Sequence, residues 1–356
     1  MPPHDTNQAE DAVLAVLRGA TIEDAARSAG TSPARLAESI ERYRAAGRAA
    51  LDVRSVGWHQ LNIQFTDYST AERTFRSCLV PALRNGSVGS WWFVRKYPCW
   101  RLRLCPSPQA PQEDAIAPIT EALEGSVARG AVAAWRRFPY EPETVAFGGP
   151  AGMKIAHELF HTDSIGVLDY LHVAGDSREA LLDAKATSLL AMTLLMRAAG
   201  LELGEQGDVW GQVEEHRPLA EGVPPDRVSS MAGVLRRLLL IDVQPLLADG
   251  ALTPVRDWFQ GLEQGGLALA DAWNNGRLAL GMRGVLARHV LFHWNRMGFT
   301  LRQQSIWSRA ARGGHSRTLT AGPSCSPPQH EGHRPDDRQV ESLTQYVPLH
   351  LHEIPR

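Results

Sequence analysis

No apolar run in the 356-residue chain approaches the roughly 20 residues that cross a bilayer. The first residues, Met1-Pro-Pro-His-Asp-Thr-Asn-Gln, lack the basic and apolar regions of a secretory signal. Charge of one sign is not in excess either. The formal net charge is −2, so the electrostatic footprint of a general nucleic-acid binder is missing. Cysteine is scarce: Cys78, Cys99, Cys105 and Cys325 form no C-x-x-C pair, which points to reduced structural thiols in a cytoplasm. There is no internal repeat. What remains is 44% hydrophobic, enough in a chain of this length for a sizeable core in one large domain or two smaller ones.

Residues 11–50 read as three short helices. Ala12, Val13, Val16 and Leu17 form an apolar stripe, and Thr21 is an N-cap with Asp24 three residues later. Thr31-Ser-Pro33 opens the next helix. The outline is a helix-turn-helix, but its Arg35, Arg42 and Arg44 are balanced by Glu38 and Glu41. A helical extension that packs on the main domain or grips a peptide is expected over a DNA reader.

From Trp58 the period becomes two, with Leu61, Ile63 and Phe65 alternating with Asn62 and Gln64, which describes a half-buried strand. A helix over 70–83 and a turn over 86–89 follow. Trp91–Tyr97 and Trp100–Leu104 read as two strands joined through Pro98. In the second, Arg101 and Arg103 lie two apart and share one sheet face, where an anionic or carbonyl-rich ligand would relieve their repulsion. A solvated face with local acidic partners explains the same spacing. A helix over 115–129 and a strand over 132–138 come next, and the chain then turns helical: 178–200, 228–247, 255–262 and 270–297, with a loop-rich connection over 204–225. Beyond Ala311 the composition becomes that of a disordered tail.

The segment from Phe138 to Ser164 organises the rest. Tyr140, Glu141 and Glu143 precede Gly148-Gly149-Pro150, and a helix begins there with Met153, Ile155, Ala156, Leu159 and Phe160 at helical spacing. His157-Glu158-Leu-Phe-His161 matches the H-E-x-x-H zinc signature, in which two histidines share a helix face and the glutamate activates water. A zinc metallopeptidase is therefore one reading. The extended form is absent, because Ser164 and Val167 stand where its glycine and third histidine belong.

A second reading covers far more of the chain. Tyr140-Glu-Pro-Glu143, Gly148-Gly149 and Glu158-Leu-Phe-His161-x-Asp163-Ser164 resemble the signature run of the thiopeptide-type bacteriocin biosynthesis family. That family is similar to the glutamate-elimination domain of lantibiotic dehydratases. The Arg95…Trp100-Arg-Leu-Arg103 strands and His293-Trp-Asn-Arg296 extend the likeness over roughly residues 10–300. The resemblance implies an α+β fold, a mixed sheet flanked by helices. Residues 1–54 would be a helical N-terminal extension, 55–310 the elimination-domain-like body and 311–356 a flexible tail.

One departure is informative. Members that eliminate glutamate are similar around Glu-x-x-Arg-Tyr-Gly-Gly, whereas this chain has Glu143-Thr-Val-Ala146-Phe147-Gly-Gly. Alanine offers no cation for a departing glutamyl carboxylate. The subgroup that fits is the pyridine synthases of thiopeptide macrocycle formation, with a glutamate-eliminating lyase as the alternative. The resemblance implies a cytoplasmic, cofactor-independent enzyme that needs no metal. Its partner is a ribosomally made precursor peptide, not nucleic acid or membrane. His161, His293, Ser164, Tyr140 and Glu143 are the expected catalytic groups, and Arg101, Arg103, Asn295 and Arg296 the expected substrate contacts.

Overall fold

The computed structural model describes residues 4–51, 57–176, 181–219 and 222–315. The opening helices α1 (His4–Leu17), α2 (Ile22–Ser28) and α3 (Pro33–Leu51) bury Ala12, Val13, Ala25, Ala26, Leu36 and Ile40 against one another. The Thr21 hydroxyl accepts from the Asp24 amide at 3.2 Å, the cap its position predicts.

Four strands follow, β1 (His59–Phe65), β2 (Val88–Lys96), β3 (Cys99–Pro106) and β4 (Val132–Phe138). They pair in the order β2-β3-β1-β4, every pairing antiparallel. Alternation decides the two faces. Leu61, Ile63, Phe93, Trp100, Leu102 and Leu104 are buried on one face under α4 (Ala71–Cys78), α5 (Val80–Leu83) and α6 (Gln112–Ala128). Each such side chain stabilises by about 1.5–3 kcal/mol relative to exposure. The opposite face carries Gln60 and Asn62, with Arg103 and Arg101 beside them in register. The α+β class expected from the sequence holds, with helices flanking a sheet that is antiparallel throughout rather than mixed.

The helical half begins with the 27-residue α7 (Pro150–Asp176). It enters through Gly148 and Gly149, whose φ of 83° and 93° only glycine adopts without strain. Next come α8 (Ala184–Ala198), α9 (Leu203–His216), α10 (Pro225–Leu239), α11 (Gln244–Asp249), a 3₁₀ turn (Thr253–Val255), α12 (Arg256–Asn274), α13 (Met282–Met297) and α14 (Leu301–His315). Close approach of α12 to α7 depends on small residues: a Cβ at Gly265 would lie 2.1 Å from Leu159 Cδ2.

Several boundaries differ from expectation. The stretch over 204–225 contains α9, because the Glu202/Glu205 capping box nucleates it and Val209, Trp210 and Val213 bury its inner face. Its Gly207 reads as a breaker but serves contact, since a Cβ there would meet His315 Cβ at 2.8 Å. The single helix expected over 270–297 is two, split at Asn275-Gly276, where Gly276 has φ of 64°. The helix over 228–247 also divides, with Asp242 accepting from the Gln244 amide at 3.1 Å. Residues 311–315, placed in the tail, close α14, and residues 316–356 lie outside the described residues.

Candidate active site

An edge strand leaves alternate backbone groups without a ladder partner. On β2 those groups belong to Trp91 and Phe93, and α7 and α13 satisfy them with side chains. His161 Nδ1 lies 2.8 Å from the Trp91 carbonyl oxygen and 3.2 Å from the Trp91 nitrogen. Either the Trp91 amide donates to Nδ1 or an Nδ1–H donates to the Trp91 carbonyl, as the ring's tautomer decides. Ser164 Oγ accepts from the Phe93 amide at 3.2 Å, and Arg296 Nε donates to the Phe93 carbonyl at 3.0 Å. Two residues expected to do chemistry, His161 and Ser164, and one expected to contact substrate, Arg296, thus hold a strand.

Behind this latch lies a buried network. Asp163, 3% exposed, accepts from Arg296, from Trp258 Nε1 at 2.9 Å and from His293 Nδ1 at 3.0 Å. Burial alone would raise its carboxyl, but His293 and Arg296 hold it at about 2, below the usual carboxylate range. His293, 1% exposed, meets Ser188 Oγ with Nε2 at 2.8 Å, so both its ring nitrogens are engaged. Asn295 faces the other way and accepts from Gln304 of α14 at 3.1 Å.

The polar sheet face gathers the remaining groups. Arg103 is 8% exposed, donates through Nε to Gln60 at 2.9 Å and stacks its guanidinium 4.2 Å above the Trp92 ring. Burial lowers its pKa to about 10, so it stays cationic at neutral pH. Its Nη1 is buried and has no partner among the described residues. The Tyr140 ring lies 5.7 Å from the same guanidinium. Its hydroxyl meets His157 Nε2 at 2.7 Å, and Trp58 stacks on the imidazole with centroids 4.3 Å apart.

Burial and then Arg103 press the His157 pKa down to about 4, while burial pushes Tyr140 well above its ordinary value. At neutral pH the pair is therefore neutral imidazole and neutral phenol, with Tyr140 donating. Glu143 is exposed at the rim, close enough to raise the charge balance at both Arg103 and Tyr140. Arg101 shares the face at half exposure, opposite Asn62.

The expected residues therefore divide. Tyr140, Glu143, Arg101 and Arg103 come together on the polar sheet face, which Glu143 and Arg101 open to solvent while Tyr140 and Arg103 are buried. His161, Ser164 and Arg296 latch β2, His293 sits in the buried network, and Asn295 joins neither. His157, read in the sequence only as half of a zinc pair or a surface residue, is the imidazole at the open face. The H-E-x-x-H donors do not suit zinc as they stand: His157 Nε2 holds a phenol, His161 Nδ1 holds backbone, and no three metal-binding side chains converge among the described residues.

A four-stranded antiparallel sheet with one edge latched by helices and one face carrying cations under a Tyr–His pair defines an α+β domain built around an open polar face. Residues 58–313 match the model of the lantibiotic biosynthesis dehydratase C-terminal family, and the chain belongs to that family. Two solved structures share the fold. The tRNA-dependent lantibiotic dehydratase MibB from Microbispora sp. 107891 superposes with a TM-score of 0.55 at 19% identity, over 73% of this chain. TsrL superposes with a TM-score of 0.50 at 19% identity, over 72% of this chain and 93% of its own. The chain spans 28% of the length of MibB. No curated protein sequence matches it. Among the described residues no helix is long and apolar enough to cross a membrane.

Proposed function

We propose that this chain is a pyridine synthase acting on a ribosomally made, leader-bearing precursor peptide. The observation that carries the reading is the buried Arg103 Nη1 without a partner, beside the Tyr140–His157 pair. An unsatisfied buried donor costs about 1–3 kcal/mol, a cost that a substrate carbonyl oxygen would recover. The reaction is a formal aza-[4+2] cycloaddition of two dehydroalanines. One reacts as the iminol of its amide, a 2-azadiene, and the other supplies two carbons. Two ring bonds form, water leaves from the iminol carbon, and the leader departs as its amide, giving a pyridine without net oxidation or reduction.

Arg103 and Arg101 hold amide oxygens, and Arg103 stabilises negative charge as the iminol forms. Through the Tyr140 hydroxyl, the neutral Nε2 of His157 takes up the proton of the substrate amide N–H and returns it by the same path to the iminol oxygen or the departing water. Glu143 at the rim orients the peptide. Proton transfer goes to Tyr140 and His157 rather than His293, whose nitrogens are both engaged. Holding two ends of a flexible peptide together supplies about 7–11 kcal/mol at most.

The glutamate-elimination alternative is disfavoured by Ala146, whose methyl packs against the apolar cluster of Tyr140, Phe147 and Phe160 where a cation would be required. The test is incubation of the purified chain with a linear two-dehydroalanine peptide bearing a leader. A free leader amide with pyridine absorbance supports the synthase. An unchanged peptide, with glutamate released from a glutamylated counterpart, overturns it in favour of the lyase.

A further inference from the structure

In an antiparallel ladder each residue bonds to one neighbouring strand or the other, in alternation. Phe93 turns its backbone outward, to Ser164 and Arg296. Its partner Leu102 therefore bonds towards β1, and Leu61, opposite Leu102, bonds back to β3. Arg137 lies opposite Leu61, so its N–H and C=O point away from the sheet. The row Arg95, Trp100, Ile63 and Trp135 gives Trp135 the same outward backbone.

The two edges of the sheet are thus unlike. On β2 the outward groups of Trp91 and Phe93 are covered by His161, Ser164 and Arg296. On β4 those of Trp135 and Arg137 meet no hydrogen-bond partner among the described residues. Ala133, Ala134, Arg136, Arg137 and Phe138 are exposed along it. Arg136 and Arg137 point to opposite faces and neither forms an ion pair among the described residues. Charged edges discourage self-association, but two arginines also leave a cationic edge that an acidic strand would neutralise.

We propose that β4 is the docking edge for an extended, acidic segment of the precursor peptide, which adds as a fifth strand. The inference rests on the peptide-substrate reading above. Position supports this occupant. β4 ends at Phe138 and the chain reaches Tyr140 two residues later, so a strand paired along β4 delivers its continuation to the open face at about 3.3 Å per residue. Backbone pairing gives affinity with little demand on sequence, and the arginines select carboxylates.

The experiment is amide hydrogen exchange on the full chain, alone and with a capped hexapeptide of alternating glutamate and valine. Exchange at the Trp135 and Arg137 amides should slow at least about tenfold on adding the peptide, an opening free energy of about 1.4 kcal/mol. Trp91 and Phe93 should be unchanged. A lysine–valine peptide and an N-methylated glutamate–valine peptide should have no effect. Arg137→Pro removes an N–H that no ladder bond uses, so it should retain thermal stability and lose the response.

No protection, or equal protection by the lysine peptide, overturns the proposal. So does full protection before any peptide is added, which would mean that the chain's own C-terminal segment occupies the edge. The readout is independent of turnover. A macrocycle formed without edge protection sinks the docking edge alone, and edge protection without a macrocycle sinks the synthase alone.

Discussion

The hydroxyl of Tyr140 lies 2.7 Å from Nε2 of His157, joining the end of a strand to a helix 17 residues later. Burial, chiefly, keeps both groups neutral. An imidazole held near 4 accepts from a phenol that stays protonated, and Arg103 beside them supplies the cation. Replacing His157 with glutamine keeps a polar group of similar reach but removes the exchangeable base. Turnover of a two-dehydroalanine peptide should fall about 10²–10⁴-fold with KM nearly constant. Steady-state kinetics check this, and an unchanged kcat would contradict it.

Arg103 has a buried donor to spare on the polar sheet face. Arg103→Met preserves contact with the Trp92 ring and deletes the charge. Peptide affinity should drop by about 1.5–3 kcal/mol, the range of a hydrogen bond to a charged group. Calorimetric titration measures it, with thermal stability within a few degrees of the parent.

Position rather than composition limited what the sequence disclosed. The i, i+2 spacing of Arg101 and Arg103 puts both on one face, and the alternation around Leu61 and Ile63 marks a strand of the sheet. Tyr140 was legible from the turn that carries it. His157 was not, because its partners Trp58 and Tyr140 come from distant segments and a helical wheel shows neither. The available signal was a histidine one turn before Phe160 in an apolar run, which burial would make neutral. Spacing does not report depth: His293 is buried against Ser188 of α8, and Ser164 is buried against Phe93 of β2. Asp163 carries no motif that announces its role, although a carboxylate between Phe160 and Val167 must be paired to be buried at all. Asn275-Gly276 was a turn signal overridden by the apolar residues on either side.

Asp163→Asn should be severely destabilising. It strips the buried Arg296 of its counter-charge and His293 of its carboxylate partner, and breaking a buried pair from one side costs about 3–5 kcal/mol. The urea midpoint reports the loss. A change below about 1 kcal/mol would mean that solvent reaches the network.

Acid should weaken the fold well before the carboxylates titrate. His157 and His289 have folded pKa values pressed to about 4 and about 3, chiefly by burial, against an ordinary 6.5. Above 6.5 both are neutral folded or unfolded, and nothing is lost. As pH falls below 6.5 the unfolded chain takes up protons that the folded chain refuses until about 4 and about 3, so stability declines across that window. Urea midpoints from neutral pH down to 4.5 test this, and a flat profile would contradict it. The acid limb of kcat should correspondingly fall near 4 rather than near 6.5.

Gly265→Ala probes the α7–α12 contact. A Cβ there meets Leu159 Cδ2 at 2.1 Å, so the helices must separate, costing about 1–3 kcal/mol by overpacking. Thermal unfolding measures it. The same change at Gly276, where no atom lies within 4 Å of an added Cβ, should act only through the strain of a φ of 64°.

The most direct measurement compares wild type with Tyr140→Phe, by intact mass, on one leader-bearing peptide with two dehydroalanines. The expected wild-type product is a macrocycle lighter by water and by the leader amide. The phenylalanine variant should form it at least about a hundredfold more slowly while still binding the peptide. Equal rates in the two proteins would remove the phenol from the chemistry, and absence of the macrocycle with wild type would refute the synthase itself.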